Sequence, residues 1–166
     1  MVVCAAAAAT SCLHGGKNEY SWTKSIIGTL TTENLDTQET VYTNDAAQAQ
    51  VEVPDGFTNS VDFHLDNVKF VEQMPSVSIV IPGLRFTLAK EDDAASYPKG
   101  SWIIDATDIV PTVGGVPYDT YKMHTVKGVI SDTSVTLSFT LTFDGANYRA
   151  TFIDRGQTVS PQEPQK

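Results

Sequence analysis

The stretch Val135–Phe143 constrains this chain more than any other. Val135, Leu137, Phe139, Leu141 and Phe143 alternate with Thr136, Ser138, Thr140 and Thr142. Successive side chains of a strand point to opposite faces, so this run predicts a strand with one apolar, buried face and one wet face. Asp144-Gly145 follows directly, a pair that accepts the positive φ of a two-residue hairpin turn. The chain is therefore expected to return as a second strand over Ala146–Asp154. A lone hairpin is marginal in water and needs further strands beside it.

Those strands are written upstream. Apolar-polar alternation and turn signals divide the chain into Tyr20–Thr32, Thr40–Val53, Phe57–Val71, Ser76–Ala89, Ser101–Val113 and Val116–Ile130. Gly28 marks a bulge or bend in the first. The second is interrupted near Asn44-Asp45, where Ala46, Ala47 and Ala49 would also suit a short helical turn. Val61, Phe63 and Leu65 share one face of the third, and Asp62, His64 and Asp66 the other. Gln73-Met74-Pro75 breaks the chain before the fourth strand, where Val77, Ile79 and Ile81 precede a kink at Pro82-Gly83. Eight strands joined by hairpin-like connections predict an all-β, eight-stranded antiparallel up-and-down barrel. Closure removes exposed strand edges, and eight strands leave room inside for side chains or one small ligand. The barrel is expected over 20–155, with 1–19 as signal and tether and 156–166 as a disordered polar tail.

Composition narrows the function. The 166 residues are 41% hydrophobic, enough for a core without metal or disulfide support. The net charge of −9 repels phosphate backbones and argues against nucleic acid as a partner. Both cysteines, Cys4 and Cys12, lie in the first dozen residues, so no disulfide is available to the body.

Val2–Ala9 is apolar but too short to span a bilayer, and reads as the core of an export signal. Ala9-Thr10-Ser11-Cys12 resembles a lipobox, with small residues before a cysteine whose thiol takes the lipid. Ala9 stands where leucine is usual, and no Lys or Arg precedes the apolar run. The expectation is lipidation at Cys12 and an extracytoplasmic, outer-membrane or cell-surface protein; the alternative is an ordinary cleaved signal with an incidental cysteine. Leu13–Asn18 reads as a flexible tether.

The segments Phe63-His64-Leu65-Asp66-Asn67-Val68-Lys69-Phe70, Met74-Pro75, Val77-Ser78-Ile79-Val80-Ile81-Pro82 and Leu137–Phe143 resemble the bacterial calycin-like (lipocalin-type) β-barrel lipoproteins. The resemblance covers roughly Tyr20–Arg155. It implies a calycin barrel and an extracytoplasmic location, with no established ligand. The Gly-x-Trp motif of animal lipocalins is missing, so no lipocalin functional residue carries over.

Chemistry-bearing motifs are sparse. The body has no Gly-x-Ser-x-Gly, His-Glu-x-x-His, Walker loop or cysteine nucleophile, so neither an enzyme nor a cofactor is expected. Asp62, His64 and Asp66, with His124 from another strand, are the best candidate ion ligands, weighed against a plain solvated face. Asp105 and Asp108 are weighed as an acid–base pair against strand-end residues. Tyr97, Trp102, Tyr118 and Tyr121 flank the fifth and sixth strands; at a barrel mouth they would stack on a sugar or line an apolar pocket. Phe63, Ile79, Phe139 and Leu141 would line an interior cavity. The leading expectation is a cell-surface protein that binds a small apolar molecule or glycan. The alternative is an accessory envelope protein acting through protein contacts, including inhibitor-like binding by the loop Glu91–Gly100.

Overall fold

Wherever the sequence alternates, the backbone is extended. The structure is a computed structural model that describes residues 22–53, 59–90, 97, 99–131 and 133–158. Its strands are β1 (Trp22–Asn34), β2 (Glu39–Val53), β3 (Ser60–Val68), β4 (Val77–Leu88), β5 (Trp102–Ile109), β6 (Thr112–Val113), β7 (Val116–Pro117), β8 (Met123–Ile130), β9 (Val135–Phe143) and β10 (Ala146–Thr158). Each long strand pairs antiparallel with the next, and β3 also pairs with β4. β10 returns to β1 along a ladder from Ile26↔Thr158 to Asn34↔Tyr148. The result is the expected fold, a closed eight-stranded antiparallel up-and-down barrel; the two-residue strands β6 and β7 form a side hairpin.

Ile26 and Leu30, Val61, Phe63 and Leu65, Ile79 and Ile81, and Val135, Leu137, Phe139 and Leu141 all point inward and are buried in one cluster. Thr136, Ser138 and Thr140 face out. A barrel that spans a bilayer carries its apolar band outside; this one is apolar inside and polar outside.

Small residues let the bulky ones meet. Gly28 lies at a shift in the β1–β10 register, and a Cβ there would collide with the Ile153 carbonyl and the Phe152 ring. The Phe152 ring occupies that space and meets Phe63 edge-on at 5.6 Å. On β2, Ala47 and Ala49 are buried within a continuous strand. The helical turn is not adopted there; the β1–β2 register shifts instead between Gly28↔Ala47 and Leu30↔Asn44.

Other boundaries also move. Pro82-Gly83 kinks β4 without ending it, because Gly83 takes φ +63° and the inward set resumes at Leu84 and Phe86. The expected fifth strand stops at Ile109, and the expected sixth divides into β7, a 3-10 turn at Asp119–Tyr121, and β8. β10 runs to Thr158, beyond the boundary expected at 155. Residues 1–21, with Cys12 and the lipobox-like segment, and 159–166 lie outside the described residues.

The two barrel ends differ. At the near rim β1 begins, β2, β4 and β8 end, and β3, β5 and β9 begin. The far rim carries the β1–β2 and β9–β10 turns, the β3–β4 loop and the β5–β8 connection. The β3–β4 loop folds inward there: Phe70, Val71 and Met74 are buried, and the Phe70 N–H donates to Met74 Sδ at 3.0 Å. Phe70 meets Phe139 at 5.5 Å and Tyr121 at 6.0 Å. The loop thus stoppers the far rim.

Candidate functional site

A cleft of about 560 Å³ opens on the outer wall near the near rim, lined by Asn59, Ser60, Arg85, Phe86, Thr87, Ile103 and Asp105. It exists because the β4–β5 seam is short. Only Phe86↔Ile104, Thr87↔Ile103 and Leu88↔Trp102 are laddered. Further along, β4 pairs with β6 instead, at Ile79↔Val113 and Val80↔Thr112. Between these ladders both strands are distorted. β4 has Pro82, which has no N–H to give, and Gly83, whose N–H donates away from the seam to Asp62 Oδ1 on β3 at 2.7 Å. β5 has Asp108 at φ +56°.

Arg85 and Asp105 stand one position beyond the last ladder pair, on opposite sides of the opening, and both are exposed. Among the described residues no ion pair joins them, and Arg85 has no carboxylate partner. By contrast, Arg149 lies 3.6 Å from Glu33, and Lys122 lies 3.2 Å from Asp108. Asn59, Ser60 and Thr87 add an amide and two hydroxyls, while Ile103 supplies apolar surface. Such a set can grip a small molecule that carries both charge and hydroxyls.

The ion-ligand candidates are placed on the wet face and engaged separately. Asp62 receives Gly83, His64 Nε2 lies 2.8 Å from Glu52 Oε2, and His124 Nε2 lies 2.9 Å from Thr142 Oγ1. His124 is on β8, separated from β3 by β4 and β5. Among the described residues no group of three or more His, Cys, Asp or Glu side chains is placed to hold a metal. Asp105 and Asp108 serve different places: one lines the cleft, the other binds Lys122.

The four aromatic candidates divide between the two rims. Trp102, at the near-rim start of β5, is wholly buried and stacks on Phe86, with centroids 4.3 Å apart and planes 10° from parallel. Tyr97 is half-buried in the loop that leads to it. Tyr118 and Tyr121 lie at the far rim, a strand length away, with rings 5.0 Å apart. Burial, and after it the neighbouring Tyr118, pushes the Tyr121 phenol above its ordinary value of 10.0. Phe63, Ile79, Phe139 and Leu141 are packed in the core, and none of them lines the cleft. A second, smaller cleft of about 230 Å³ lies across β1, β2 and β3 at Ser25, Ile27, Gln48, Gln50 and Asp66. Residues 91–96 of the loop Glu91–Gly100 lie outside the described residues.

Sequence reasoning missed Arg85, Asn59, Ser60 and Thr87. The alternation Leu84-Arg85-Phe86-Thr87 does turn Arg85 and Thr87 outward, but nothing in it tells that the neighbouring strand has parted. No family model, curated protein or solved structure matches the chain.

Proposed function

We propose that this chain is a lipid-anchored, extracytoplasmic binding protein of the calycin-like kind, which holds a small polar ligand at its outer wall rather than an apolar one inside its barrel. The observation that carries this reading is the β4–β5 cleft, where a guanidinium and a carboxylate face one another without pairing. A site of this size falls within the range of small-molecule pockets. The close packing of the inward side chains weighs against a lipid carrier. The anchor rests on Cys12 and the small residues before it.

Two experiments test the proposal. In native mass spectrometry of gently purified full-length chain, a stoichiometric polar small molecule is expected, with its amide shifts mapping to Asn59, Arg85 and Asp105. A ligand mapping instead to Phe139 and Leu141 would return the function to the interior. Separately, metabolic labelling with a clickable fatty acid is expected to mark the wild type and not Cys12→Ser. Label retained in that variant would remove the anchor.

A second reading has its own observation. Val116 and Tyr118, beside the β6–β7 turn, are 65% and 42% exposed at the far rim. A photo-crosslinker placed at Val116 is expected to capture an envelope protein in cells if that hairpin docks a partner. Absence of any adduct there would leave only the cleft.

A further inference from the structure

We infer that the β4–β5 cleft recognises a sugar acid, a polyhydroxylated molecule bearing a carboxylate; this rests on reading the cleft as a ligand site. The chain has 20 acidic side chains among its 31 formally charged ones, yet Lys69, Arg85 and Lys127 have no carboxylate partner among the described residues. Of these, Arg85 is placed at a concave site rather than on a flat wall. Its planar fork suits bidentate contact with a carboxylate.

The remaining lining decides among carboxylates. Asp105 offers only acceptor oxygens and needs donors from the ligand. Asn59 supplies an amide, and Ser60 and Thr87 supply hydroxyls that give or take hydrogen bonds. A fatty acid would satisfy Arg85 but cover Asp105 and these neutral groups without pairing them, which is costly. A free amino acid would meet both charges and leave the amide and hydroxyls unused in a space of about 560 Å³. A sugar acid satisfies all of them: carboxylate to Arg85, hydroxyl donors to Asp105, and ring C–H surface to Ile103.

The test is calorimetric titration of the full-length chain with digalacturonate, its neutral counterpart galactobiose, and free glutamate, with amide shifts recorded for each. Digalacturonate is expected to bind at the cleft about tenfold or more tightly than galactobiose, the discrimination one charge-assisted contact gives. Arg85→Gln is expected to erase that preference, and Asp105→Asn to weaken both sugars. Both side chains are exposed, so the fold should be retained, which circular dichroism checks. Equal binding of the two sugars at the cleft would overturn the acid preference while leaving the cleft a ligand site. Tighter binding of glutamate would replace sugars by amino acids. Shifts that avoid the cleft with all three probes would overturn this inference, and if a ligand co-purified with the chain also avoided it, the cleft reading would fall as well.

Discussion

Thr32 sits on the inward face of β1 with its hydroxyl fully buried and, among the described residues, without a hydrogen-bond partner. A buried hydroxyl without a partner has lost its water and gained nothing. Valine has nearly the same shape, so Thr32→Val is expected to raise stability by ~1 kcal/mol, read as a higher urea midpoint at unchanged slope. A lower midpoint would mean that the hydroxyl is satisfied in solution. Tyr121 makes a prediction about pH. Its phenol is raised above 10.0 by burial and by Tyr118. The folded state therefore keeps its proton where the unfolded chain has lost it. That contribution is fully present below pH 10 and is lost as pH rises through the raised value. Urea midpoints from pH 9 to 11 should fall more steeply for wild type than for Tyr121→Phe; parallel curves would contradict the buried placement.

Among the elements, β9 was fully legible, because five apolar residues at period two admit one reading and Asp144-Gly145 fixes the turn. The β4–β5 seam was not. Pro82-Gly83 signals a kink, but whether a neighbouring strand follows a kink depends on long-range pairing that local pattern does not carry. For the same reason Arg85 drew no notice while Asp62, His64 and Asp66 did. Period two puts those three on one face, yet Asp62 and His64 find their partners on other strands, Gly83 and Glu52, and not in one another. The aromatic cluster failed through topology, since the two ends of β5 are near in sequence and on opposite rims in space. Gly28 was legible as a bulge, though its role as the seat of the Phe152 ring was not. Gly28→Ala is expected to cost about 1–3 kcal/mol, because the clash includes the Ile153 backbone and cannot be relieved by a side chain turning away. Chemical denaturation measures this, and a cost below a few tenths would show that the strands yield there.

For the whole molecule, closure follows from pairing each strand with its successor and the last with the first. Closure also directs the apolar faces inward, where large rings and small Ala and Gly positions interleave. The β3–β4 loop plugs the far rim, and the ladder gap leaves its cleft outside. An eight-stranded barrel has room inside for side chains or one small ligand; here the described interior is a core and the wall provides the concave site. Alternation alone does not distinguish a cup from a core, because both need the same inward apolar face. The most direct measurement is diffraction from crystals pressurised with xenon, an atom that enters dry apolar cavities. A filled core is expected to admit no xenon inside the barrel. Xenon density among Phe63, Ile79, Phe139 and Leu141 would show a hollow interior and contradict it.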